Sequence, residues 1–266
     1  MGSVTVQAET TVNPLTLMGK EAGTCWGANT KDDMKNYNRG IDCLLSGHMR
    51  TAEFPQVYLI LDGYSARVIR ELYTHIGGMP TRLQASTRYI NYQNFEYVTP
   101  PSIENNQEAY DIYSEAMKNL RYAFCKMDML GVPREDMANL LPLGMTTKIV
   151  LRTNLRNLID MSHQRMCTRA YWEFRKLMSD IINALREYSD EWKVLIDEYN
   201  VFQPKCEVCG FCTEKYSCGR RPKKDDPDQK TLSELVVNLK ISWKDFLNEI
   251  KSDKVRKFLE DLVDKD

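Results

Sequence analysis

Residues 74–89 read Thr-His-Ile-Gly-Gly-Met-Pro-Thr-Arg-Leu-Gln-Ala-Ser-Thr-Arg-Tyr. Two glycines and a proline make this a poor helix and a poor strand, so the stretch reads as a loop shaped to grip something. Basic side chains surround it at Arg67, Arg70, His75, Arg82 and Arg88, with hydroxyls at Thr81, Ser86 and Thr87. Glycine lets backbone approach a ligand closely, and an arginine fork matches phosphate oxygens two at a time. A second basic set follows at Lys148, Arg152, Arg156, Arg165 and Arg169. The spacing of four predicts that Arg152 and Arg156 share one helix face, and Arg165 and Arg169 another. Together these features point to a nucleotide phosphate pocket. Two solvated basic helix faces give the same pattern, and the chain has neither a Walker loop nor a Gly-x-Gly-x-x-Gly turn after a strand.

A second local signal is Cys206-x2-Cys209-x2-Cys212-x5-Cys218, four thiols within thirteen residues. Four thiolates at this spacing can close a tetrahedral zinc site, with Gly210 and Gly219 allowing tight turns. The long last gap, and the lack of a proline directly after Cys218, count against an iron–sulfur cluster. Disulfides or free thiols, or something redox-active, are the other readings. Cys25, Cys43, Cys125 and Cys167 stand singly, and nothing in the sequence couples them to a base that would make them nucleophiles.

The elements that must position these residues are visible in part. Gln56–Leu61 is a β-rich run stopped by Asp62-Gly63, and Ser65 is a candidate N-cap for a helix reaching about His75. Lys31–Leu45 has a loose helical rhythm. From Gln107 the apolar residues Ile112, Tyr113, Ala116, Leu120, Phe124 and Met127 keep helical spacing, ended by Gly131 and Pro133. The stripe Tyr110, Tyr113, Leu120 and Phe124 is read as core packing. A helix is predicted from about Asn154 to Tyr188, long enough that a break inside it is expected. Residues 1–24 show no clear period. The expectation is an α+β fold, a small antiparallel-type sheet packed with long helices, over residues 1–204. A Cys-rich segment at 205–222 and a charged linker with a helical tail at 223–266 would follow.

The 266 residues are 42% apolar and 27% charged with a net charge of −1, ordinary for a soluble globular protein, so any anion binding must be local. No apolar run is long enough to span a bilayer and no signal-peptide core is evident at the N-terminus, so a cytoplasmic location and no membrane partner are expected. The clustered thiols favour a reducing compartment. Arg220, Arg221, Lys223 and Lys224 raise the alternative of a zinc-containing nucleic-acid-binding protein. Asp225, Asp226 and Asp228 follow at once and overall charge is near zero, so nucleic acid is not the expected partner.

The order of several pieces resembles the flavin-dependent thymidylate synthases. They are Gly47-His48-Met49-Arg50-Thr51-Ala52-Glu53, the strand at 56–61, the helix from Ser65 to His75, and Ser86-Thr87-Arg88-Tyr89. Glu135-Asp136-Met137-Ala138-Asn139-Leu140-Leu141-Pro142 is similar to the family's acidic, proline-ended segment. Asn154-Leu155-Arg156, Gln164-Arg165 and Tyr171-Trp172-Glu173-Phe174-Arg175 are similar to its Arg-rich helix. The resemblance covers about residues 15–204. The family's hallmark is Arg-His-Arg, seven residues, then Ser. Here it becomes Thr74-His75-Ile76, with nine residues before Ser86, so this is a divergent member with an altered signature loop. Arg82 lies inside the longer loop, where it can return a lost charge. A usual Glu is Gln84, a phosphate-binding Arg is Ala138 (with Lys148 or Arg152 as candidate substitutes), a flavin-facing Asn is Asp160, and a His of the last helix is Arg169.

The resemblance implies a homotetramer with active sites between subunits. It implies FAD-dependent reductive methylation of dUMP to dTMP, with methylenetetrahydrofolate as carbon donor, NADPH as reductant and no attacking cysteine. By position, Arg165 would stabilise charge developing on the pyrimidine, with Ser86 and His48 also at the reacting centre. Glu71, Thr74, Arg82, Gln84, Ser86, Arg88 and Arg165 would contact dUMP. Arg50, His75, Asn154, Arg156 and Asp160 would contact FAD. Cys206, Cys209, Cys212 and Cys218 would hold zinc as a staple outside the chemistry. The changes at Ala138, Gln84 and Thr74 leave open a relative that modifies C5 of another pyrimidine nucleotide.

Overall fold

Alternation of apolar and polar residues sets the sheet on which the rest is hung. The computed structural model describes residues 2–224. Four strands, β1 (Ser3–Val6), β2 (Gln56–Ser65), β3 (Thr81–Gln84) and β4 (Thr146–Asn154), form an antiparallel sheet in the order β1-β2-β4-β3. Val57, Leu59 and Leu61 of β2 and Ile149 and Leu151 of β4 are buried on one face. The register sets Leu59 opposite Leu151 and Leu61 opposite Ile149. Lys148 and Val150 point to the other face and are exposed, as a period of two requires. The architecture is α+β, as the sequence predicted.

The helices are α1 (Pro14–Cys25), α2 (Asp33–Leu45), α3 (Ala66–Leu72), α4 (Pro101–Glu104), α5 (Gln107–Met129), α6 (Arg134–Met137), α7 (Leu155–Arg165), α8 (Trp172–Tyr188), α9 (Asp190–Asp197) and α10 (Lys205–Cys209). Helix α5 matches the predicted span, and Asn106 caps it by accepting from the Ala109 amide at 3.1 Å. The expected break in 154–188 falls at residues 166–171, between α7 and α8. Ser65 caps α3 as expected, accepting from the Val68 amide at 3.2 Å, but the helix stops at Leu72 rather than near His75. Tyr113, Leu120 and Phe124 of the α5 stripe pack in or against the smaller apolar cluster, whereas Tyr110 is exposed.

Four expectations need correction. β2 does not end at Asp62-Gly63: Gly63 takes φ 75° at an irregularity in the ladder, and Tyr64 and Ser65 pair onward with β4. Residues 81–84, read as loop, pair as β3 along β4. Arg152 lies on β4 and Arg156 on α7, so the two share no helix face, and Arg169 lies in the break after Arg165. Helix α1 escaped notice because Gly19 and Gly23 sit on its buried side, where larger apolar residues would have marked the period. A methyl at Gly19 would overlap the Asn36 carbonyl of α2, and one at Gly40 the Leu15 carbonyl of α1, so both crossing positions need glycine.

The larger core cluster joins the buried sheet face to α3, α7, α8 and α9 through Leu59, Leu151, Ile69, Leu158, Phe174 and Trp192. The chain divides into two compact units, Met1–Val208 and Cys209–Asp266. The expected helical tail beyond residue 224 lies outside the described residues. Among the described residues no helix is long and apolar enough to cross a membrane.

Candidate active site

Helix α3 carries Glu71 in its last turn, and the turn after it carries Thr74 and His75. Helix α7 ends in Arg165, and these two helix ends meet. Arg165 Nη1 lies 2.8 Å from Glu71 Oε2, its Nε donates to His75 Nε2 at 2.9 Å, and its Nη2 reaches Thr74 Oγ1 at 3.4 Å. Its guanidinium also stands 4.7 Å from the centre of the Phe174 ring. His75 is only 7% exposed. Burial, reinforced by the charges of Arg165 and Arg82, pushes its pKa down to about 4. The imidazole is therefore neutral near pH 7. Because Nε2 accepts from Arg165, the proton sits on Nδ1.

This corner is anchored from behind. Glu173, 3% exposed at the start of α8, accepts from the Ser65 amide at 2.7 Å and from Ser65 Oγ at 2.6 Å. One carboxylate thus ties α8 to the cap of α3 and brings Phe174 under Arg165. Sequence reasoning found the Ser65 cap but gave Glu173 and Phe174 no role. A buried acid in an apolar helical pattern was the available signal.

A second group forms where β4 runs into α7. Asn154 caps α7, accepting from the Asn157 amide at 2.9 Å, and Asn157 Nδ2 donates to Thr153 Oγ1 at 2.8 Å. Gly77 and Gly78 lie against these asparagines. A methyl at Gly77 would come within 2.9 Å of Asn157 Oδ1, and one at Gly78 would overlap Asn154 Nδ2. Arg156 pairs with Glu53 at 2.7 Å. The glycines line a cavity of about 260 Å³ with Glu53, Asn154, Arg156 and Asp160. Arg156 and Asp160 also edge a more apolar cavity of about 400 Å³ with Leu44, Met49, Ile159 and Tyr199. His48 and Arg50 line neither cavity. They sit on the turn leading to Glu53, where the His48 carbonyl accepts from Thr51 Oγ1 at 2.8 Å.

Ser86 and Arg88 belong to a third group. Ser86 Oγ accepts from the Arg88 amide at 3.2 Å, and Arg88 pairs with Glu135 of α6 at 2.8 Å. Gln84 Nε2 reaches Thr147 Oγ1 at 3.4 Å. Arg82 donates to the His75 carbonyl and so joins the Arg165 group. Of the candidate substitutes for the arginine missing at Ala138, Lys148 pairs with Asp62 at 2.8 Å and Arg152 donates to the Met79 carbonyl at 3.2 Å.

Residues 8–189 match the family described as thymidylate synthase complementing protein. The chain belongs to this family. A flavin-dependent thymidylate synthase of Clostridium tetani is 27% identical over 244 residues, covering 83% of this chain and 94% of that protein. One of Nitratidesulfovibrio vulgaris is 29% identical over 189 residues, covering 67% and 74%. Thymidylate synthase X of Helicobacter pylori, crystallised with FAD and dUMP, superposes with a TM-score of 0.57 at 18% identity. That match covers 71% of this chain and 95% of that one, and it establishes a shared fold.

Cys206 lies on α10. In the second unit the Cys209 thiol donates to the Phe211 carbonyl at 3.1 Å, and the Cys212 amide to the Pro222 carbonyl at 2.6 Å. Among the described residues, no three His, Cys, Asp or Glu side chains are grouped to hold a metal.

Proposed function

We propose that this protein is a flavin-dependent thymidylate synthase, catalysing reductive methylation of dUMP to dTMP. The single observation that carries the reading at the site is Arg165. Its cation is fixed by Glu71, by a neutral His75 and by the Phe174 ring at the corner where the ends of α3 and α7 meet. An arginine oriented before substrate arrives is suited to stabilise negative charge developing on a pyrimidine. Thr74 and Glu71 would orient the nucleotide beside it.

The residues present suit FAD. Arg156 and the asparagines, with the side-chain-free backbone of Gly77 and Gly78, line a cavity with donors for phosphate, and the carboxylates of Glu53 and Asp160 there would accept from N–H and hydroxyl groups of the cofactor. The adjoining apolar cavity fits a flat ring. Bound FAD would supply the hydride chemistry, as cofactors generally do, while the protein orients and excludes water. His48 and Arg50 would flank the flavin from the turn before Glu53. Methylenetetrahydrofolate and NADPH complete the reading as carbon donor and reductant, with no enzyme cysteine attacking the base.

Arg88 and Ser86 lie in a group of their own with Glu135, which supports a nucleotide site completed by a second copy of the chain within a homotetramer. The catalytic region would be residues 1–204, with the Cys-rich segment 205–222 as a zinc staple. The test is the visible spectrum of the purified protein with and without FAD, followed by dTMP formation from dUMP and methylenetetrahydrofolate. An oxidised-flavin spectrum bleached by NADPH, with dUMP turned over best among pyrimidine nucleotides, is expected. A colourless protein that takes up no flavin would overturn the reading.

A further inference from the structure

Among the described residues, two buried side-chain polar atoms lack a hydrogen-bond partner, and both are arginine Nε atoms, those of Arg82 and Arg152. A donor removed from water and left unbonded is costly, so these side chains are held in place by something that outweighs the loss. They lie on neighbouring strands, with Thr81 opposite Arg152 and Arg82 opposite Leu151. Residues directly opposite each other share a face, so the two arginines leave the sheet on opposite sides.

Each turns its outer nitrogen to the same short loop. Arg82 Nη2 donates to the carbonyl of His75 and Arg152 Nη2 to that of Met79, the first and last residues of His75-Ile76-Gly77-Gly78-Met79. Beyond the buried His75, the loop buries little of its own: Ile76 is 73% and Met79 83% exposed. Its backbone is strained at one residue: next to Gly78, which takes φ 67° freely, Met79 carries a Cβ and takes φ 51°. The Arg82 guanidinium is braced in turn by the Tyr73 ring, 5.1 Å from its centre.

We propose that Arg82 and Arg152 form a clamp, one guanidinium on each side of the sheet edge. It holds loop 75–79 with Gly77 and Gly78 against Asn157 and Asn154 and with His75 beneath Arg165. Both are positioning residues, and they act through the loop rather than on the reacting atoms. The clamp rests on the proposed function only in that the held conformation is the one that receives flavin and nucleotide. Arg82 lies in the part of the signature loop that is longer here than in the family pattern. The clamp thus gives the extra residues a mechanical role.

The test is hydrogen exchange by mass spectrometry on the ligand-free full chain, comparing wild type with Arg82→Met, Arg152→Met and the double variant. Methionine keeps an apolar stem and removes the unbonded Nε, so a side chain that only filled space would leave the loop undisturbed. The clamp predicts at least tenfold faster exchange in the peptide covering 74–80, with β2 and β4 unchanged. It also predicts a tenfold or greater rise in the FAD Kd from flavin fluorescence. Loop exchange equal to wild type in the double variant would overturn it, as would equal acceleration of the loop and strands. Should the methionine variants not fold, Arg82→Lys and Arg152→Lys take their place, with loop exchange faster than wild type expected and wild-type exchange overturning the clamp. A faster loop in a protein that binds no FAD would sink the proposed function and leave the clamp standing.

Discussion

Arg165 is held by three different kinds of partner, and that makes its replacement informative. Arg165→Lys keeps the charge but cannot serve Glu71, His75 and Thr74 at once. The expected result is a fall in kcat of about 10²–10³ for dUMP methylation with a smaller change in KM, measured in steady-state assays. His75 makes a prediction about pH. Its folded pKa of about 4 lies below the ordinary 6.5, so between these values the unfolded chain binds a proton that the folded chain refuses. Stability present above pH 6.5 is therefore lost as pH falls toward 4, by roughly 2–4 kcal/mol. Urea unfolding at pH 7, 5.5 and 4.5 should show this slope in wild type and a shallower one in His75→Gln. Parallel slopes would show that the buried imidazole is not its source.

Elements place these residues by their ends. Helix α3 offers its last turn, α7 its last residue and α8 its first turn, so small shifts of any one would separate Arg165 from its partners. The Ser65–Glu173 pair fixes two of these ends at once. Glu173→Gln leaves one of the two Ser65 donors facing an amide NH₂, and a loss of about 1–3 kcal/mol in chemical denaturation is expected. Ser65→Ala should cost about 1 kcal/mol as the loss of a cap. A Glu173→Gln protein as stable as wild type would mean the carboxylate is dispensable. Part of this scale was readable in advance. Ser65, Asn106 and the α5 stripe carry local signals, whereas β4 and its neighbour β3 were hidden because Lys148, Arg152 and Arg156 suggested a helix face.

At the scale of the molecule, the nucleotide contacts expected from the sequence fall into separate groups, Arg165 with Glu71 and Arg88 with Glu135. If copies of the chain share one site, two inactive variants can repair each other. Mixing Arg88→Ala and Arg165→Ala protomers under subunit-exchange conditions should restore activity toward about a quarter of wild type per site, by random assortment of halves. No recovery in a mixture shown by native mass spectrometry to be hybrid would place both arginines in one protomer's site.

Local chemistry written along the chain determined the α+β class, the capped helices, the glycine–arginine loop and its family resemblance, since caps, periods and motifs depend on neighbours in sequence. Tertiary structure alone decided that Arg165 meets His75 across ninety residues and that Glu173 grips Ser65 across more than a hundred. It also decided that Arg152 turns to a loop carbonyl instead of joining Arg156. Such pairings depend on which helix ends the sheet brings together, and no spacing along the sequence encodes that distance.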